Sequence, residues 1–148
     1  MPEFFEITAR VRYAETDQMG VVYYANYYVY FEIGRAELIR ALGFPYRDME
    51  REDDSFMVVA ESSCRYCRPA RYDDLLRIRT AVVESRRRTL RFTYEILNDG
   101  TGELLATGET LHVVCDKYGR PKLLPEKYRK FFPLTESPVD NLENPSSS

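Results

Sequence analysis

Asp17 is the residue whose type and setting best suit chemistry. It lies in the run YAETDQMGVVYYANYYVYFEIGRAEL (Tyr13–Leu38), where a short loop leads through Gly20 and two β-branched residues into an aromatic-rich amphipathic segment. A carboxylate held just before a helix N-terminus faces outward-pointing backbone N–H groups. A base or nucleophile then stands beside a place that can polarise an electrophile. Asp in such a loop is more often a cap or a solvated turn residue. The helix expected here starts about six residues further on, too far for Asp17 to be its N-cap.

Cys64 and Cys67 form a C-x-x-C pair, and His112 is the only histidine. The segment around the cysteines reads as a strand, in which residues three apart point to opposite faces. With no second ligand pair, neither a metal nor redox chemistry is expected, and no cofactor is assigned. Three cysteines, an odd number, provide no disulfide framework. His112, alone on a strand with polar neighbours, reads as structural.

The elements that must position Asp17 are legible from periodicity. In Phe4–Tyr13 the apolar set Phe5, Ile7, Ala9, Val11, Tyr13 interleaves with Glu6, Thr8, Arg10 and Arg12, the pattern of a half-buried strand. Leu76–Val82 and Leu90–Ile96 repeat it. NDGTG (Asn98–Gly102) is a hairpin turn leading into a strand over Leu104–Cys115. A further strand over Phe56–Tyr66 is separated from the one at Leu75 by PARYDD (Pro69–Asp74).

One long helix interrupts the strands. Tyr27, Tyr30, Phe31, Gly34, Leu38, Ala41 and Leu42 share one arc, with Glu32, Arg35, Ala36 and Arg40 roughly opposite. Gly43 is the expected C-cap and Pro45 the stop. Gly34 in mid-helix costs about 1 kcal/mol against Ala, which points to a close neighbour. Short helices are expected after Pro45 and over Pro125–Phe132. The expectation is an α+β fold, one helix lying on a five-stranded antiparallel sheet. Exposed sheet edges make a homodimer the natural assembly.

The chain has 148 residues, enough for one domain with a sizeable core. Residues 1–132 are assigned to that domain and the Pro/Ser-containing 133–148 to a disordered tail. A formal net charge of −3 argues against nucleic acid as a partner. No apolar run is long enough for membrane insertion. The opening MPEFFEITARV lacks the basic and apolar regions of a signal peptide, so a cytoplasmic location is expected.

The run Tyr13-x-x-x-Asp17-x-x-Gly20-Val21-Val22-Tyr23-Tyr24-Ala25-Asn26-Tyr27, with Phe31-Glu32 beyond it, resembles the 4-hydroxybenzoyl-CoA thioesterase-like branch of the hotdog-fold acyl-CoA thioesterases. Arg68-Pro69-Ala70-Arg71-Tyr72-Asp73-Asp74-Leu75 and Gly119-x-Pro121 with Leu124-Pro125 are similar to further segments of that family. The resemblance covers about residues 4–132. It implies a hotdog fold, in which the sheet wraps the long helix. Two protomers would share a continuous sheet with active sites at the interface, and dimers often pair into a homotetramer. Many members carry His where this chain has Tyr24, and FERAR where it has Phe31-Glu32-Ile33-Gly34-Arg35. The absent histidine leaves Asp17 as the only obvious chemical side chain.

Thioester hydrolysis needs a nucleophile or water activator, a polarised carbonyl and room for the thiol leaving group. By resemblance Asp17 supplies the first, as nucleophile or as general base. The backbone N–H of Tyr24 supplies the second. Tyr13 either orients the carboxylate or substrate, or is a core tyrosine ending a strand. Among the tyrosines near the helix most are expected to pack, and Tyr27 is the candidate for an acyl pocket taking a short, branched or aromatic group. The phosphates of coenzyme A call for cations. Arg86, Arg87 and Arg88 are the best local cluster, although a turn of arginines is often simply solvated; Arg65, Arg68 and Arg71 are a second. Glu61 is either a solvent-facing strand residue or a substrate-binding one reaching the site from the partner subunit.

The same fold hosts other functions. An enoyl-CoA hydratase would pair the Asp with a nearby His, which is missing. A non-catalytic acyl-CoA sensor or scaffold and an acyl-carrier-protein thioesterase are the alternatives.

Overall fold

The computed structural model describes residues 3–133 and residue 135. The expected disordered tail, Pro133 and Thr135 aside, falls outside the described residues. Strand β1 (Phe5–Arg10) is followed by a 3-10 turn at Tyr13–Glu15, helix α1 (Asn26–Leu42) and helix α2 (Tyr46–Asp53). Strands β2 (Phe56–Tyr66), β3 (Leu75–Ser85), β4 (Thr89–Asn98) and β5 (Leu104–Cys115) come next, then the short helix α3 (Glu126–Arg129).

The sheet is five-stranded, antiparallel at every pairing, in the order β1-β3-β4-β5-β2. Its buried face carries Leu76 and Ile78 of β3, Phe92, Tyr94 and Ile96 of β4, and Ala106 and Val114 of β5. Against that face α1 turns Tyr27, Tyr30, Phe31, Gly34, Leu38 and Ile39. The arc expected from sequence is corrected at one end: Ile39 is buried and Ala41 is exposed. Arg35, expected opposite the core, sends its long side chain inward to donate from Nη1 to Tyr94 Oη at 3.0 Å.

Gly34 has the close neighbour its position implied. A Cβ there would collide with Thr80 Oγ1 and lie 2.8 Å from Ile78 Cγ2. Gly108 of β5 makes room for the Phe31 ring in the same way, and Phe31 stacks on Tyr94 with centroids 4.4 Å apart. The two glycines, one on the helix and one on the sheet, let α1 approach closely.

His112 is buried and structural in its contacts. Its Nδ1 lies 3.2 Å from the Met57 carbonyl and its Nε2 2.8 Å from Thr110 Oγ1. Since the carbonyl only accepts, Nδ1 carries the hydrogen and Nε2 accepts from Thr110. Thr110 in turn lies 2.6 Å from Tyr94 Oη. A single chain of hydrogen bonds thus runs from Arg35 on α1 to Met57 on β2.

The boundary of β1 is a second correction. The alternating pattern runs to Tyr13, yet the strand ends at Arg10. Val11 donates instead to the Asp74 carbonyl, and Arg12 N–H turns to the Glu15 carboxylate. Gly43 caps α1 at φ 121°, and Asn98 closes the β4–β5 turn by accepting from Gly100 and Thr101. Among the described residues no helix is long and apolar enough to cross a membrane.

Candidate active site

The loop between β1 and α1 is a tight, self-bonded turn. Asp17 N–H donates to the Val21 carbonyl at 2.9 Å, and Gly20 N–H to the Asp17 carbonyl at 3.0 Å. Gly20 holds φ +79°, a left-handed conformation that favours glycine. Inside the turn Met19 N–H donates to Asp17 Oδ1 at 2.8 Å. Asp17 is exposed, and its second carboxylate oxygen meets no donor among the described residues.

Helix α1 starts at Asn26 with Ala25 as its cap, later than the start about six residues after Asp17 that the sequence suggests. The shift changes which amides are open. Asn26, Tyr27 and Tyr28 N–H groups donate to the carbonyls of Tyr23, Tyr24 and Ala25, and Tyr23 N–H donates to the Glu15 carbonyl. No acceptor among the described residues engages the N–H of Tyr24 or Ala25, both exposed. The open donors are therefore the last two before the helix, and Tyr24 is one of them.

Sequence reasoning passed over the residue that ties this loop together. Glu15 is only 7% exposed. Its Oε1 accepts from Arg12 N–H at 2.8 Å and Tyr30 Oη at 3.0 Å, and its Oε2 from Arg12 Nε at 3.2 Å. Its carbonyl accepts from Asn26 Nδ2 at 2.9 Å as well as from Tyr23 N–H. The Arg12-x-x-Glu15 spacing was the available signal, since a Glu three residues on reaches back to an N-cap amide.

The tyrosines separate into two groups. Tyr13 is not a core residue ending a strand: it begins the 3-10 turn, is 78% exposed, and sets its ring against Tyr72 at 5.6 Å. Tyr27 is 3% exposed, and its hydroxyl accepts from Ala70 N–H at 3.2 Å. Burial pushes its phenol above the ordinary range, so it stays a neutral hydroxyl. Tyr23, Tyr24 and Tyr66 are exposed and form a shelf beside the open amides, with centroids 4.9 Å apart for Tyr23–Tyr24 and 6.4 Å for Tyr24–Tyr66.

The charged candidates are spread out. Arg86, Arg87 and Arg88 are exposed in the β3–β4 hairpin, where Arg86 pairs with Glu84 at 2.6 Å. The Asp17 loop borders the opposite end of β3, since Val11 bonds Asp74 and Val21 bridges Arg71. An eleven-residue strand separates the two, roughly 35 Å of chain. Within one protomer the hairpin and Asp17 are thus not brought together. Arg68 and Arg71 lie at the Asp17 end, and Arg68 pairs with Glu103 at 3.2 Å. Glu61 follows a bulge in β2 and stands opposite Leu111, on the sheet face away from α1.

Comparison with known proteins supplies the class. Residues 19–105 match the Thioesterase superfamily. The chain belongs to that family and is a thioester hydrolase with a hotdog fold. It is 39% identical over 83% of its length to a Bacillus subtilis (strain 168) protein provisionally named acyl-CoA thioesterase YneP, 86% of which is covered. It is 37% identical over 82% to the acyl-CoA thioester hydrolase YbgC of Escherichia coli O6:H1, covering 90% of that protein. Among solved structures it is similar to a DHNA-CoA thioesterase from Staphylococcus aureus, with TM-score 0.78, 32% identity, and coverage of 88% of this chain and 84% of that one.

Proposed function

We propose that this chain hydrolyses acyl-CoA thioesters, with Asp17 as nucleophile or general base and the Tyr24 N–H polarising the thioester carbonyl. Water adds across the acyl–sulfur bond, giving a free acid and the thiol of coenzyme A. The observation that carries the reading is a pairing within one loop. An exposed carboxylate with one unengaged oxygen precedes two unengaged amides by seven and eight residues in the same segment. The amides would stabilise the negative charge that develops on the carbonyl oxygen, and Ala25 N–H adds a second donor to that of Tyr24. The relatives' names support the acyl-CoA class.

The exposed shelf of Tyr23, Tyr24 and Tyr66 favours a compact or aromatic acyl group, which can stack on phenol rings. A relative named for DHNA-CoA fits the same preference. Tyr13, exposed and set against Tyr72, would contact the substrate in this reading.

The working unit in this reading is a homodimer joined along β2. That strand is an eleven-residue edge, exposed at almost every position from Val58 to Tyr66, with Val58 47% and Val59 49% exposed. Such an edge invites pairing with a second copy. Antiparallel pairing would set the Phe56 end of one copy beside the Tyr66 end of the other. Phe56 lies opposite Cys115, and Val114 N–H bonds the Arg88 carbonyl. In such a pairing the second copy's Arg86–Arg88 hairpin would be carried to the Asp17 end, where it would meet the phosphates of coenzyme A.

The test is a panel of aromatic, short and long acyl-CoA substrates, read by thiol release, on wild type and Asp17→Asn. The expected result is hydrolysis by wild type and a loss of about three to four orders of magnitude in the variant, the scale of removing a catalytic group. Near-normal turnover by Asp17→Asn would sink the assignment. Acyl-CoA binding without hydrolysis by wild type would favour a non-catalytic binder.

A further inference from the structure

We propose that Glu15 is a positioning residue of this site, whose carboxylate and carbonyl together fix the Asp17 turn against the open amides at the start of α1. The proposal rests on the roles proposed above for Asp17 and Tyr24. A buried carboxylate is costly unless its oxygens are satisfied, and Glu15 receives three donors on its two oxygens. Two come from Arg12 and one from Tyr30, which is 15 residues away and buried on α1.

A cap for a three-residue turn needs only the bond from Arg12 N–H. The reach to Tyr30 serves another purpose, since it ties the 3-10 turn to the second turn of α1. The Glu15 carbonyl adds the second tie, to Asn26 Nδ2 and Tyr23 N–H. Asn26 is the first residue of α1, and Tyr23 directly precedes the two open amides. Glu15, two positions before Asp17, therefore accepts five hydrogen bonds, which link both halves of the site.

The Arg12 side chain is 73% exposed, so the ion pair alone is a weak anchor. The buried phenol is the firm one. Burial and the Glu15 bond both raise the Tyr30 phenol far above its ordinary range, so it remains an O–H donor throughout the working pH range.

The experiment compares wild type, Glu15→Gln, Glu15→Ala and Tyr30→Phe, by steady-state kinetics and by amide hydrogen exchange at Gly20 and Tyr23. Gln keeps an oxygen for Arg12 N–H and Tyr30 while removing the charge. Glu15→Gln is expected to keep kcat within a few-fold and its pH profile unchanged. Glu15→Ala is expected to lose about 10²-fold in kcat, the scale of a misplaced reacting group, with KM little changed and faster exchange at both amides. Tyr30→Phe should fall between.

Unaltered kcat and exchange in Glu15→Ala would overturn the proposal. So would a Glu15→Gln as inactive as Glu15→Ala with native exchange, because the charge would then be acting in the chemistry. If Glu15→Ala does not fold, Tyr30→Phe decides by the same two readouts. If wild type hydrolyses no thioester, the proposed function fails, while the exchange rates still establish or refute the clamp.

Discussion

The hydroxyl of Tyr66, on the edge strand β2, donates to the backbone carbonyl of Tyr24 at 3.1 Å. This bond joins the outermost strand of the sheet to the residue whose N–H is proposed to polarise the substrate. Tyr66 also lies edge-on to Tyr27 at 5.2 Å, so its ring is braced from the core side. Tyr66→Phe removes the bond and keeps the ring. A neutral hydrogen bond contributes about 1 kcal/mol, so kcat should fall by about fivefold with KM unchanged. Kinetics on one good acyl-CoA substrate checks this, and an unaltered kcat would separate β2 from the site.

Mixed assemblies test the arginine hairpin. Asp17→Asn copies would keep their arginines, and copies with Arg86, Arg87 and Arg88 all changed to Ser would keep Asp17. If a second copy supplies the hairpin, co-refolding the two should recover about a quarter of wild-type activity. Half the dimers are then mixed, and each has one complete site. Absence of recovery would mean that the arginines act in their own protomer or not at all.

His112 makes stability depend on acidity. Burial, with the Arg35 charge second, lowers it from 6.5 to about 4. The folded chain therefore refuses a proton that the unfolded chain accepts below pH 6.5. Stability should be level above pH 6.5 and fall as pH drops from there to about 4. The full loss from this residue is about 3 kcal/mol at 1.36 kcal/mol per unit. Urea denaturation at pH 7 and pH 4.5 measures it. The difference should shrink in His112→Gln, and an identical pH dependence in that variant would assign the loss to other groups.

Gly34 tests the close approach of α1. Alanine would gain about 1 kcal/mol in helix propensity. It would also place a methyl against Thr80 Oγ1 and Ile78 Cγ2. Overpacking of this kind costs about 1–3 kcal/mol, so Gly34→Ala should lower the urea midpoint. A midpoint raised by the substitution would mean that the helix yields at little cost.

Much of this molecule can be read from its chain. Alternation located β1, β3 and β4, because the pleat sends successive side chains to opposite faces and one face is buried, while the turns NDGTG and PARYDD marked off β5 and β2. The three- and four-residue spacing from Tyr27 located α1, and Gly43 marked its end. Those are local regularities, and a linear sequence records them directly. The mid-helix glycine also announced a close contact, although its partners on β3 lie more than forty residues away.

The rest was decided in three dimensions. Alternation continues through Arg12, but β1 stops earlier because the chain turns to satisfy a buried carboxylate that also needs Tyr30. A helical wheel sets Arg35 outside, but a long flexible side chain can return to a buried hydroxyl. Asp17 was recognisable by type and spacing; which amides remain open beside it was not. Their freedom depends on where α1 starts, and hence on carbonyls already taken by Tyr23, Asn26, Tyr27 and Tyr28. Sequence thus singled out the residue types and spacing expected to do chemistry. Tertiary structure decided which donors are left over to do it with, because hydrogen bonds between distant segments are allotted only when the chain has closed on itself.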